Sequence, residues 1–178
     1  MTTLASISAP ARGATDRLLA AVVARLQAEG VRVIGALRAP PDNGSATHCA
    51  SDLWLLPRGP VLRITQNLGT GSASCRMDAG ALEEAVGLAS VRLEAEGADL
   101  VVLSKFGLSE AEGRGFRALI VQALLRGVPV LTGLSATHRA AFEAFAEGMA
   151  QPLEPNVAAI LDWCQSVVSR DAPLTEEA

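Results

Sequence analysis

The chain has 178 residues, of which 49% are hydrophobic and 3% aromatic, with a formal net charge of −4. That is enough apolar chain for a packed domain core, and it argues against a nucleic-acid binder working through a broad basic face. With no tyrosine and four phenylalanines, a base-stacking platform is excluded too.

Thr3 to Ser8 reads as a short strand, followed by the loop Ala9-Pro10-Ala11-Arg12-Gly13 and a helix from Ala14 to Glu29. Leu18, Leu19, Val22, Val23 and Leu26 recur in it at helical spacing, and Gly30 closes it. Val31 to Leu37 is a second strand, so a parallel crossover is expected. Pro-Pro-Asp-Asn-Gly-Ser within residues 39–51 is loop composition. Asp52 to Leu56 and Val61 to Gln66, split by Pro57-Arg58-Gly59-Pro60, predict a β-hairpin near a sheet edge. A second glycine-rich loop, Gln66 to Met77, leads to Asp78 as N-cap of a helix over Ala79 to Glu96. The run Asp99 to Ser104 is apolar and branched, too short for a helix, and predicts a buried parallel strand. The next helix starts at Ser109 and ends near Arg126. Val128 to Thr132 is a strand, Thr137 to Glu147 a helix with Phe142 and Phe145 inward, and Pro155 to Val168 a last helix. The expectation is one α/β domain over residues 1–168, three layers deep with a mainly parallel sheet, and a flexible acidic tail over 169–178.

Met1 to Pro10 lacks a basic start and an apolar core, so no signal peptide is expected. No stretch approaches the ~20 apolar residues of a membrane span. Cys49, Cys75 and Cys164 are odd in number and scattered, which points to a reducing compartment. A cytoplasmic bacterial protein is expected, without nucleic-acid or membrane partners. His48, Cys49, Cys75 and Asp78 lack any zinc-type spacing, so no metal ligands are assigned.

In open α/β sheets, ligands sit outside the carboxyl ends of the strands. Two segments fall there. The first can be laid on the phosphate-loop pattern as Ser8, Ala9-Pro10-Ala11-Arg12, Gly13, Ala14, Thr15. Gly13 and Thr15 keep their places, but Ala14 stands for the lysine and Ser8 for the first glycine. The backbone N–H groups of a helix start remain, and Arg12 adds charge. The second is the central segment Ser104-Lys105-Phe106-Gly107, with Glu110, Glu112 and Arg114 after it. Lys105 is expected to supply the missing charge from a neighbouring strand end, although Ser104 replaces the aspartate that would hold magnesium. Asn67, Gly69, Gly71, Cys75 and Arg76 of the second loop are expected to line the same mouth.

The residues Gln66-Asn67-Leu68-Gly69 through Cys75-Arg76-Met77-Asp78, then Asp99-Leu-Val-Val-Leu-Ser-Lys-Phe-Gly, Glu110-Ala-Glu-Gly-Arg-Gly and Gly127-Val-Pro-Val-Leu carry a resemblance. The chain is similar to small P-loop nucleoside-triphosphatases of the thermostable and molybdopterin-guanine-dinucleotide accessory types. It more closely resembles a bacterial family of unknown function encoded near molybdate-transport and molybdoenzyme genes. That family usually has asparagine before the lysine, where this chain has Ser104. The resemblance implies a nucleotide- or oxyanion-binding accessory protein of molybdenum metabolism without efficient hydrolysis. Its ligand would be a nucleotide with Mg2+ or a molybdate-type oxyanion, its partner a molybdoenzyme, a transport component or a second copy in a homodimer. Two alternatives stay open: an active nucleoside-triphosphatase using Lys105 with Glu110 or Glu112 on magnesium, and a ligand-free interaction module.

Overall fold

Leu100, Val101, Val102 and Leu103 are all buried, but not in the same core. Val101 and Leu103 join one apolar cluster, and Leu100 and Val102 join another. Alternation on a strand sends successive side chains to opposite faces, so this strand lies inside a sheet covered on both sides. The computed structural model describes residues 3–40, 52–66 and 76–168. In chain order the elements are β1 (Leu4–Ile7), α1 (Ala14–Ala28), β2 (Val33–Arg38), β3 (Asp52–Leu56), β4 (Val61–Arg63), β5 (Thr65–Gln66), β6 (Arg76–Met77), α2 (Ala79–Glu96), β7 (Leu100–Phe106), α3 (Leu108–Ala111), α4 (Arg117–Leu125), β8 (Val130–Leu134), a 3-10 turn (Ala136–His138), α5 (Arg139–Ala146), β9 (Ala150–Leu153) and α6 (Val157–Val168).

The main sheet has seven strands in the order β4-β3-β2-β7-β8-β1-β9, and β5 and β6 form a separate ribbon. The five strands from β2 to β9 run parallel, while β3 and β4 add an antiparallel hairpin at one edge. Leu19, Val22, Val23 and Leu26 of α1 pack with Ile160, Trp163, Cys164 and Val167 of α6 on one face. Leu82, Ala85 and Leu93 of α2, Leu119 and Ile120 of α4, and Phe142 of α5 cover the other. This is the three-layer α/β sandwich expected from the strand–helix alternation. Burial pushes the Cys164 thiol up to about 12, so it packs as an inert small hydrophobe.

Local signals held where side chains cap helices. Asp78 accepts the Ala81 N–H at 3.0 Å to start α2, and Asn156 accepts the Ala159 N–H at 2.8 Å to start α6. Arg92 of α2 donates to the carbonyls of Leu56 and Gly59, both at 2.8 Å, and holds the β3–β4 turn.

Two expectations are corrected, and the pairing adds two features that local pattern does not carry. β7 does not stop at Ser104 but runs through Lys105 to Phe106. The helix expected from Ser109 is two helices, because Gly113 and Gly115 adopt φ of +87° and +62° between them; Ser109 is buried inside the first of them, α3. β9 was not anticipated, since four residues with an internal proline carry little strand signal. It forms by pairing with β1 at the sheet edge, where a proline is tolerated. β1 and β2 run parallel, as the crossover predicts, with β8 and β7 between them. The tail at 169–178 lies outside the described residues. Among the described residues, no helix is long and apolar enough to cross a membrane.

Where β2 passes β7, Gly35 has φ +138°, and a Cβ there would lie 1.9 Å from the Val102 carbonyl oxygen. Backbone cannot swing aside as a side chain can. Gly35→Ala should therefore cost about 3 kcal/mol or more, measured by urea unfolding; a loss below about 1 kcal/mol would show that the strands can separate freely.

Candidate functional site

Because β1, β2, β7 and β8 are parallel, their carboxyl ends open on one edge. β1 leaves the sheet there into residues 8–13, and Gly13 (φ +72°) turns the chain into α1. The Ala14 N–H donates to the Ala11 carbonyl at 3.0 Å. No side chain caps α1, and the N–H groups of Thr15 and Asp16 have no acceptor within the helix because of their first-turn position. The Thr15 hydroxyl oxygen accepts the Ala9 N–H at 3.1 Å and fastens the loop to the helix. Arg12 is exposed, and its carbonyl accepts from Arg17 Nη1 at 3.4 Å. An open cleft of about 380 Å³, lined in part by Pro10, Ala11, Arg17, Leu18 and Pro155, runs beside this loop.

Lys105 is placed by an irregularity. Leu103 pairs with Thr132 and Phe106 with Leu134, so β7 spends three steps where β8 spends two. Such a bulge re-aims the side chains it contains. The close approach leaves no room at Gly133, where a Cβ would lie 2.1 Å from the Ser104 carbonyl oxygen and 3.0 Å from Thr15 Cγ2. Lys105 is exposed between buried Leu103 and buried Phe106. The Phe106 ring is anchored against Phe142 at 5.2 Å and Phe145 at 5.5 Å. The strand next to β1 is β8 rather than β7, so Lys105 acts from one strand further away than expected, about 4.8 Å more. It is still near enough to act on Asp16. Burial raises the Asp16 pKa, while Arg38, Lys105 and Arg17 pull it down in that order. Arg38 Nη1, at the end of β2, lies 3.7 Å from Asp16 Oδ2.

The structure thus brings Gly13, Thr15, Ser104 and Lys105 to one mouth and adds Asp16, Arg17, Arg38 and Gly133, which the sequence reading did not place in the site. A charge directly after an apolar strand, as at Arg38, was the available signal. Other residues are occupied differently. Glu110 is buried, and its two oxygens accept the N–H groups of Gly107 at 3.0 Å and Phe116 at 3.1 Å. It holds the turn behind Lys105, an employment other than the magnesium role considered for it. Gly107 lies beneath the Lys105 stem. Glu112 and Arg114 pair with each other at the surface. The Gly115 N–H is taken by Glu83 at 2.9 Å. Asn67, Gly69, Gly71 and Cys75, with His48 and Cys49, lie outside the described residues; the Arg76 backbone pairs with Gln66 in the small ribbon. Met77 accepts the Ser109 hydroxyl at 3.9 Å, which sets the end of the second loop against α3. Among the described residues, no group of three or more His, Cys, Asp or Glu is placed to hold a metal ion.

A family model described as Protein of unknown function (DUF2478) matches residues 4–163. The Molybdenum import ATP-binding protein ModC 2 of Bradyrhizobium diazoefficiens is 31% identical over 162 residues, 91% of this chain. The match covers 18% of that relative, so the chain spans about a fifth of its length. The crystal structure of THEP1 from the hyperthermophile Aquifex aeolicus superposes with a TM-score of 0.66 over 94% of this chain and 99% of that one, at 18% identity. This likeness makes the fold P-loop nucleoside-triphosphatase-like.

Two outcomes follow from the side chains. Glu110→Ala strands two buried N–H groups and should cost about 3 kcal/mol, whereas Glu112→Ala should stay within about 0.5 kcal/mol; chemical denaturation of both compares them, and equal losses would remove the clamp role. For Asp16, a folded pKa above the unfolded one means stability that is present at low pH and lost as pH rises through the folded pKa. Asp16→Asn should therefore melt higher than wild type near neutral pH, with the gap closing below about pH 4. A lower melting temperature for the variant at neutral pH would show that the Arg38 pair outweighs burial.

Proposed function

The chain belongs to the family described as Protein of unknown function (DUF2478), and we propose that it binds the phosphate groups of a nucleotide, or a similar oxyanion, at the start of α1. The observation that carries this reading is that cations from three elements act on the first turn of α1, where backbone N–H groups stand open: Arg38 on β2 lies 3.7 Å from Asp16, and Lys105 on β7 and Arg17 on α1 also lower the Asp16 pKa. Helix-start N–H groups and the positive end of the dipole favour an anion, and the cations add long-range attraction. The apolar wall of Pro10, Leu18 and Pro155 gives the cleft a surface for a base. Mg2+ would enter with the nucleotide, held by its phosphates; Thr15 and Ser104 are the neutral oxygens available to support it.

Hydrolysis is expected to be slow. Ala14 stands at the position of the phosphate-loop lysine and Ser104 at the position of the magnesium-holding acid. Lys105 replaces the lost charge for binding but approaches from a strand end. The kinship with a molybdenum import ATP-binding protein supports a cytoplasmic accessory role in molybdenum metabolism, serving a transport component or a molybdoenzyme.

The test is titration calorimetry with ADP and Mg2+. Lys105→Ala should weaken binding about ten- to a hundred-fold while the melting temperature of the free protein is unchanged; Lys105→Arg should restore only part of the affinity. Equal affinities in all three proteins would return Lys105 to the ordinary surface. Turnover of ATP near ~1 per second, abolished by Thr15→Ala, would replace the binding role with an enzymatic one.

A further inference from the structure

An anion site has little reason to contain a carboxylate, yet Asp16 sits in one. It occupies the first turn of α1, beside the N–H groups that would hold a phosphate. Arg38 of β2 pairs with it, and Lys105 of β7 and Arg17 of its own helix are close enough to favour its charged form. These are the charges an incoming anion would use. The Arg38 contact at 3.7 Å is an ion pair too long to be a hydrogen bond, so the carboxylate is attracted but not locked. Its side chain is only 30% exposed, and burial already disfavours its charged form.

We propose that Asp16 selects the ligand's protonation state, so that the site accepts oxyanions that share a proton with the carboxylate, of the phosphate or phosphomonoester type, ahead of fully deprotonated tetrahedral dianions such as sulfate or molybdate. Two facing anions in a confined site repel unless a proton lies between them. A phosphate keeping one proton donates it as an O–H···O hydrogen bond to the Asp16 oxygen, a short charge-assisted contact. Sulfate and molybdate bring no proton near neutral pH. They must push Asp16 away from its cations or force it to protonate, and either costs affinity. No covalent bond forms or breaks; the proton stays shared between two oxygens. This inference rests on the β1–α1 loop being the anion site, and narrows its ligand to phosphate chemistry. The link to molybdenum then lies in the partner served and not in the group bound.

The experiment is titration calorimetry of the whole chain with inorganic phosphate and with sodium sulfate near pH 7, for wild type, Asp16→Asn and Lys105→Ala. Wild type should bind phosphate at least about tenfold more tightly than sulfate. In Asp16→Asn the two should come within about threefold, chiefly because sulfate tightens, since the amide carries no charge and can donate. Lys105→Ala should weaken both anions together, which locates the binding in the mouth. Equal affinities for the two anions in wild type, or a preference that survives Asp16→Asn, overturn the inference while leaving the anion site standing. Absence of binding of either anion to wild type and to Asp16→Asn overturns the site itself and the selectivity with it. Equal wild-type affinities overturn the inference without any variant having to fold.

Discussion

The site depends on how closely the backbones of β7 and β8 approach at the carboxyl edge of the sheet. The Ser104 carbonyl occupies the space a side chain at position 133 would need. With glycine at 133, β7 can take its extra residue against β8 and still stay paired to Phe106. The bulge exposes Lys105 while the residues on either side of the irregular stretch, Leu103 and Phe106, remain buried. The same glycine lies against the Thr15 methyl, so the contact that shapes β7 also touches the first turn of α1. One tight crossing thereby ties together the loop that offers N–H groups and the strand that offers the ammonium.

Around that crossing, charge is distributed unlike the phosphate-loop pattern. In that pattern a lysine sits at the helix start and an acid at a strand end. Here the helix start carries Asp16 and the strand end carries Lys105. The local sum remains positive, because Arg17 and Arg38 add to Lys105. Under the proposed reading, attraction for an anion is kept while the positions that assist phosphoryl transfer are altered. The buried Glu110 contributes from behind. By accepting the N–H groups of Gly107 and Phe116, it fixes the turn on which the Lys105 stem rests and satisfies donors that burial would otherwise leave costly. Arg117 stacks over the Phe145 ring at 4.8 Å, joining α4 to the aromatic anchor of Phe106.

The molecule separates its exposed ion pairs from the candidate site. Ion pairs such as Arg32–Asp99 and Arg58–Glu96 lie at the amino edge of the sheet or along the hairpin. These exposed pairs orient loops more than they stabilise the fold. At the carboxyl edge Arg38 pairs with one half-buried carboxylate, Asp16, beside an open helix start. The imbalance is concentrated where three parallel strands deliver their last residues.

Most of the elements were legible from local pattern. Apolar spacing marked α1, caps marked α2 and α6, and proline and glycine marked the hairpin, because each signal is made by residues within a few positions of one another. The phosphate-loop frame and Lys105 were visible for the same reason. Strand order was not, since β8 inserts between β1 and β7 through pairing that no short window contains, and β9 exists only because β1 leaves an edge for it. Asp16, Arg38 and Gly133 likewise became site residues through position, lying about 20 to more than 100 residues apart in the chain. The sequence by itself determined that this chain forms a two-faced parallel sheet with a glycine-bearing turn into a helix, because burial period and turn chemistry are local. Only the tertiary structure decided which charges meet at that turn, because strand order and a backbone contact too close for a side chain are properties of distant segments brought together.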